Sequence, residues 1–301
     1  MSEEKKEKIN VLSLFDGISC GMIALERAGI EVENYFASEI DKHAIKVTQN
    51  NYPNTKQIGS VTDIKGSGLP KIDLLIGGSP CQGFSIAGKK LNFTDDRSKL
   101  FFEFVRLRNE LNPKYFLLEN VRMTDDIADA IDELLGVKRV FIDSRNFTGM
   151  IRKRYYWTNI PIAELPTKNV TIEDLLDNDI FERDLAFFLD RTKYEPTKSY
   201  DGIITINPRD NNEKQTWQRG RVYDINGSCP TICASLFDLN ITKDHKTWRK
   251  LTINECEKIQ GVPKDYTVSV SKNERGKQLG NGWTVDVIAH IFSSLKKGES
   301  H

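Results

Sequence analysis

Between residues 9 and 157, short apolar runs keep alternating with longer stretches of helical character, and few folds accept that order. Residues 9–15 read as a buried strand, followed by a glycine-punctuated loop and a helix through Ala24 to Ala28. Residues 34–39 and 72–77 read as further strands, with a helix over 41–50 after the first of them. A helix over 101–111, a strand over 115–119 and a helix over 125–135 follow, and the apolar runs 140–142 and 155–157 close the series. Strands alternating with helices imply an α/β fold built on a parallel, doubly wound sheet.

After Pro161 the pattern degrades. Residues 163–246 are polar, turn-rich and irregular in period. Order returns at Thr252-Ile253-Asn254-Glu255, a capping-box pattern opening a short helix that Gly261 and Pro263 end. A last helix is expected over 284–295. The expected organisation is a large domain over 9–162, a small insert domain over 163–246, and a segment over 247–297 whose helices rejoin the large domain. There is no internal repeat and no low-complexity tract.

Lysine plus arginine and aspartate plus glutamate each number 43, so the formal net charge is zero. That weighs slightly against nucleic acid, whose phosphates need basic partners. The basic residues nevertheless cluster, at Lys138-Arg139, Arg152-Lys153-Arg154, Arg219 with Arg221, Arg249-Lys250, and Lys272 with Arg275 and Lys277. Each alone reads as a solvated face. No apolar run is long enough to span a membrane, and residues 1–8 hold no apolar segment that could act as a secretory signal. A cytoplasmic protein with no membrane partner is expected. The five cysteines are scattered, which argues against a disulfide framework. Cys229 and Cys233 lack a following histidine, so no metal is expected.

In a doubly wound sheet, ligands gather at the C-terminal ends of the strands. The first such end carries Phe15-Asp16-Gly17-Ile18-Ser19-Cys20-Gly21, where glycines let a ligand approach the backbone and a helix N-terminus offers free N–H groups. By itself this could be an ordinary tight turn, since its spacing is neither the dinucleotide fingerprint nor the P-loop. Glu39 ends the second strand at a distance that suits a ribose diol. The third strand delivers Gly77-Gly78-Ser79-Pro80-Cys81-Gln82-Gly83, a cysteine set among turn residues. Most free cysteines are small core residues; this one is read as exposed. The long loop 86–97 after it has the character of a lid. Glu119-Asn120-Val121 ends the next strand, on the same edge as the cysteine, as a candidate acid–base or hydrogen-bonding group. Arg152 and Arg154 lead into the aromatic strand, two residues apart and so expected to point the same way.

Taken in order, these residues resemble the carbon-5 cytosine methyltransferase family. The signature comprises Phe15-Asp16-Gly17, Glu39, Pro80-Cys81-Gln82, Glu119-Asn120-Val121, Arg152-Lys153-Arg154 and Leu279-Gly280-Asn281-Gly282-Trp283. It spans about residues 10–295. In style the chain is similar to the catalytic domains of the animal de novo DNA methyltransferases, and to short bacterial and phage enzymes of the restriction-modification kind.

The resemblance implies a Rossmann-like methyltransferase sheet of the class that uses S-adenosylmethionine, with a small target-recognition insert. Phe15 would pack on the adenine, with Ile40 in the same pocket. Asp16, Gly17, Ile18, Ser19 and Cys20 would wrap the methionine part, and Glu39 would hold the ribose. Relatives usually carry Asp after the glycine where this chain has Gly59-Ser60-Val61. The adenine contact would then fall to Ser60 or nearby Asp63. Asn281, Gly282 and Trp283 would close the pocket. The resemblance makes Cys81 the nucleophile, with Glu119 on ring nitrogen 3 and the exocyclic amine. Arg154 would hold the carbonyl oxygen, supported by Arg152, and Pro80 and Asn120 would fix the loop. The substrate would be duplex DNA with the cytosine flipped out. Gln82, Ser85 and Arg97 in the lid would contact it, and Arg209, Lys214, Gln215, Arg219 and Arg221 in the insert would meet phosphates and base edges. Whether the protein is a monomer or a homodimer stays open.

Three other readings compete. A tRNA cytosine methyltransferase shares the scaffold, but its characteristic Cys-Phe-Thr element is missing. A non-catalytic relative would have damaged motifs, and here the cysteine, the glutamate and both arginines are intact. A nucleotide-binding thiol enzyme would want the dinucleotide fingerprint, which is absent.

Overall fold

The computed structural model describes residues 8–79, 85–87, 90–92, 96–177 and 180–297. The chain divides into two compact units, Met1–Ile142 with Lys153–Glu164 and Val287–His301, and Asp143–Arg152 with Leu165–Asp286. Nine helices occur among the described residues: α1 (Cys20–Ala28), α2 (Lys42–Asn51), α3 (Asp96–Leu111), α4 (Asp125–Leu135), α5 (Arg145–Thr148), α6 (Ala186–Leu189), α7 (Ile253–Gln260), α8 (Lys272–Asn281) and α9 (Val285–Phe292).

The strands of the first unit are β1 (Ile9–Leu14), β2 (Val32–Ser38), β3 (Lys56–Gln57), β4 (Leu74–Gly77), β5 (Ser85–Ala87), β6 (Lys90–Asn92), β7 (Tyr115–Val121), β8 (Val140–Asp143) and β9 (Lys153–Thr158). Seven of them form one sheet in the order β3-β2-β1-β4-β7-β9-β8. From β3 to β7 every neighbouring pair is parallel, as expected. β9 departs from the expectation and runs antiparallel to β7. A parallel return needs a crossover of about a dozen residues or more, and the link from β8 through α5 is shorter. The lid segment also differs from an unstructured loop: β5 and β6 pair as an antiparallel hairpin, Ser85 opposite Asn92.

The sheet is covered on both faces, so its central strands are apolar throughout rather than alternating. Leu74, Leu75 and Ile76 of β4 are fully buried. Leu12, Leu14, Phe101, Phe104, Leu107, Leu118, Ile131 and Trp157 share one core with Leu75. Each such side chain contributes about 1.5–3 kcal/mol by leaving water. The one polar atom of Trp157 is satisfied, its indole Nε1 donating to Asp132 Oδ1 at 2.7 Å.

The second unit holds a sheet where the sequence showed only irregular chain. Its strands are β10 (Arg183–Asp184), β11 (Thr197–Lys198), β12 (Ile204–Thr205), β13 (Val222–Asp224), β14 (Asn240–Thr242) and β15 (Thr247–Lys250), ordered β10-β15-β14-β13-β12-β11. The capping box is present: Thr252 and Glu255 exchange side-chain bonds with each other's backbone N–H at the start of α7. α7 and α8 group with this unit, a division different from the expected return at residue 247. Their contacts explain it. Arg249 of β15 pairs with Glu255 at 2.8 Å, Cys256 Sγ reaches the Phe237 carbonyl at 3.3 Å, and α8 lies so close to 233–237 that a Cβ on Gly280 would stand 2.2 Å from Ala234 N. α8 itself was not foreseen.

Candidate active site

The strand register gathers the chemistry at one edge. Leu14 of β1 pairs with Ser38 of β2 and Gly77 of β4, and Gly77 pairs with Leu118 of β7. The chain therefore emerges side by side at Phe15-Asp16, at Glu39-Ile40, at Gly78-Ser79 and at Glu119-Asn120. β9 comes the other way and brings Arg154 opposite Val121.

Glu119 and Arg154 form a close pair here. Arg154 Nε lies 2.8 Å from Glu119 Oε1, and both side chains are largely buried. Asn120 is buried too, and its amide nitrogen donates to the carbonyl and the Oγ of Ser79, each at 3.2 Å. Asn120 thus fixes the chain at the residue before Pro80. Gly77 admits no side chain there without displacing Phe104, whose ring would stand 3.0 Å from an added Cβ. Pro80, Cys81 and Gln82 lie outside the described residues, and of Ser85 and Arg97 only the backbone is described.

Arg152 is engaged differently from Arg154. It precedes β9, is buried, and its guanidinium donates to the carbonyls of Ile232 at 3.3 Å, Gly280 at 3.3 Å and Gly282 at 2.9 Å. The two arginines therefore do not share one set of partners, although their spacing suggested that they point the same way.

The loop after β1 is a preorganised cradle. Phe15, Gly17 and Ser19 all take positive φ, at 56°, 60° and 56°. Gly17 N donates to Glu39 Oε2 at 2.8 Å, and Ile40 N and Asp41 N donate to Oε1 at 2.7 and 2.8 Å. The carboxylate of Glu39 is thereby aimed with about one lone-pair site to spare, on Oε2. Tyr35 OH and Ser19 Oγ hold the two oxygens of Asp16 at 2.7 and 2.5 Å. Burial pushes Asp16 up to about 6 against the lowering effect of bonds from Ser13, Ser19 and Tyr35, and the nearby charge of Glu39 adds to the rise. Space above Gly17 and Gly59 is open. Ile40 is 77% exposed beside this cradle, and Phe15 is half-buried. Cys20 and Ile18 are buried. Ser60 Oγ is shared with Thr62 Oγ1 at 2.8 Å and caps a short turn at Val61, while exposed Asp63 accepts from Thr62 Oγ1 at 3.3 Å.

An acidic, glycine-backed cradle beside bare apolar surface fits a ligand with a flat ring, a ribose and a cationic tail. It therefore fits S-adenosylmethionine. Tyr35 and Thr48 were missed by sequence reasoning, and Ser79 was read only as a turn residue before the cysteine. Each acts by hydrogen-bonding a motif residue or its loop, and no local pattern marks such a role.

In the second unit, Asn281 ends α8 and Gly282 follows as its C-cap, with Trp283 half-buried beyond. Arg209, Lys214, Gln215 and Arg219 are exposed and Arg221 half-buried. Arg221 Nε donates to the Thr216 carbonyl at 2.9 Å and Arg219 to that of Ser235 at 3.2 Å. Arg209 lies 3.8 Å from Glu213.

The fold is that of known methyltransferases. The chain superposes on Dnmt2 of S. pombe with a TM-score of 0.72 at 17% identity, covering 98% of this chain and 100% of that one. It superposes on the methyltransferase EhMeth of Entamoeba histolytica at 0.71 and 18%, covering 98% and 100%. At those identities the likeness speaks for the fold alone. The sequence carries the rest. The model of the C-5 cytosine-specific DNA methylase family matches residues 9–128 and 139–297. The type II methyltransferase M1.ScrFI of Lactococcus lactis subsp. cremoris is 31% identical over 97% of this chain and 79% of its own length. M.FnuDI of Fusobacterium nucleatum is 29% identical over 96% and 94%. This chain belongs to the C-5 cytosine-specific DNA methylase family, whose members are DNA methyltransferases that use S-adenosylmethionine as methyl donor. Among the described residues, no helix is long and apolar enough to cross a membrane.

Proposed function

We propose that the chain methylates carbon 5 of a flipped-out cytosine in duplex DNA, with Cys81 as covalent nucleophile. The observation that carries the reading is the Glu119–Arg154 pair at 2.8 Å, at a strand end in register with the strand that leads to Cys81. Carbon 5 of cytosine is too weak a nucleophile to take a methyl group directly. Addition of the Cys81 thiolate to carbon 6 converts the ring to an enamine-like nucleophile. Glu119, in its protonated form, donates to ring nitrogen 3, where the displaced electron density collects, and accepts from the exocyclic amine. Arg154 orients Glu119 and turns its remaining N–H groups to the carbonyl oxygen. Asn120, by its bond to Ser79, sets the start of the Cys81 loop. Bound in the cradle, S-adenosylmethionine supplies an electrophilic methyl group. Glu39 and Ile40 would hold its nucleoside and Asp16 its cationic tail, with Phe15, Gly17, Ile18, Ser19, Cys20, Ser60 and Val61 around them, and Asn281, Gly282 and Trp283 as further contacts. A water molecule, acting as base, takes the carbon-5 proton, and departure of the Cys81 thiolate then restores the aromatic ring. Arg152, tied to main-chain carbonyls, supports this chemistry by fixing the start of β9. Residues 163–246 recognise the DNA, with Arg209, Lys214, Arg219 and Arg221 as contacts alongside Gln82, Ser85 and Arg97.

The test is transfer of labelled methyl groups to duplex DNA, to tRNA and to neither, by the wild-type chain and by Cys81→Ser. Label in DNA that vanishes in Cys81→Ser is expected. Label surviving in Cys81→Ser would refute the mechanism, and label only in tRNA would refute the substrate.

A further inference from the structure

The most exposed tryptophan of the described chain sits on one of its best-anchored turns. Trp217 is 89% exposed. A single exposed apolar side chain needs no explanation, but the backbone around this one is tied down bond by bond. Buried Asn207 donates to the Gly220 carbonyl at 2.8 Å and accepts from Val222 N at 2.8 Å. Buried Asn240 donates to the carbonyls of Arg219 and Arg221 at 2.9 and 3.0 Å. Thr216 N reaches the Pro208 carbonyl at 2.9 Å, and Gly220 N reaches that of Trp217 at 2.8 Å. Two buried amides and Arg221 thus anchor the backbone of a turn that holds a flat apolar ring in water. Gln215, Gln218 and Arg219 beside it are also exposed. These are the side-chain types that meet adenine, guanine and phosphate.

We propose that Trp217 stacks on a base of the DNA substrate, so that it sets affinity and contributes to the choice of target. This rests on the reading above that the second unit recognises DNA. An indole can stack only where the base stack is open, and withdrawal of a cytosine opens it. Gln215 and Gln218 then lie beside the ring to meet neighbouring base edges. A rigid turn suits this work, since little ordering is left to do on binding.

The experiment compares the full chain with Trp217→Ala and Trp217→Phe, using sheared unmethylated duplex DNA. KM for DNA, kcat, cofactor affinity and acrylamide quenching of tryptophan emission are read. Trp217→Ala should raise KM for DNA about 5- to 150-fold, the range expected for loss of one base–aromatic stack, with cofactor affinity and melting midpoint unchanged. Trp217→Phe should recover most of the loss. DNA should shield the wild-type emission from quencher and leave that of Trp217→Ala unshielded, because Trp157 and Trp248 are already buried and half-buried Trp283 is common to both proteins. Wild-type KM and unaltered shielding in Trp217→Ala, on an enzyme that methylates DNA, would overturn this inference and leave the function intact. A wild-type chain that transfers no methyl group to duplex DNA would overturn both.

Discussion

The seven-stranded and the six-stranded sheets of this molecule are stabilised in different ways. In the first, β1, β4 and β7 are buried on both faces, and the polar residues sit at the strand ends. In the second, no strand exceeds four residues, and buried polar side chains stitch the strands together. Asn207, Asn240 and Thr242 bond to backbone groups, and Asp224 pairs with His245 at 2.5 Å. An apolar sheet can carry a fixed catalytic edge. A sheet held by specific polar bonds can present well-anchored loops of differing sequence, because its anchors lie beneath the surface it displays.

Substitutions can break this contrast at points of decreasing effect. Trp157→Ala in the apolar core should destabilise by about 3–5 kcal/mol in urea unfolding, with Asp132 losing its indole donor. Glu255→Gln should cost about as much, roughly 3–5 kcal/mol, because it leaves Arg249 largely buried without its charge partner. Burial alone would raise Glu255, but Arg249 and the N–H groups of Thr252 and Asp177 hold it below the usual carboxylate range. Stability from that pair is therefore present above the ordinary pKa of 4.5 and is lost as pH falls through the depressed value. Asn240→Ala should cost about 1–3 kcal/mol and weaken DNA affinity more than cofactor affinity, measured by direct titration of each.

The smallest effect tests the acidic cradle. The carboxyl of Asp16 stands at about 6 in the folded chain against 3.8 when unperturbed. A raised value means that folding is favoured below pH 3.8 and loses that contribution as pH rises through 6. Asp16→Asn should therefore melt higher than wild type above pH 6 but not below pH 4, read by thermal unfolding at the two pH values. The same substitution should weaken binding of S-adenosylmethionine, read by calorimetry.

Sequence legibility followed the same contrast. The parallel sheet could be read because continuous apolar runs such as Leu74-Leu75-Ile76 have one cause, burial on both faces. Glu39, Glu119 and Asn120 could be placed because a parallel sheet puts its strand ends together. The reversed β9 was not legible, since direction depends on the length of a connection and not on the strand's own residues. Strands of two to four residues leave no periodicity, which hid the second sheet. α8 was hidden by a polar sequence whose glycines, Gly276 and Gly280, are there for close packing. The separate engagements of Arg152 and Arg154 depend on partners far away in sequence.

The central claim is that Cys81 attacks the ring that Glu119 and Arg154 receive. Duplex DNA carrying 5-fluorocytosine tests it directly, because fluorine at carbon 5 cannot leave as a proton does and the adduct cannot collapse. With S-adenosylmethionine present, the wild-type chain should form a complex with this DNA that survives denaturation, and Cys81→Ser should form none. A denaturant-stable complex with Cys81→Ser, or methylation by the wild type that never traps on the fluorinated base, would contradict the account.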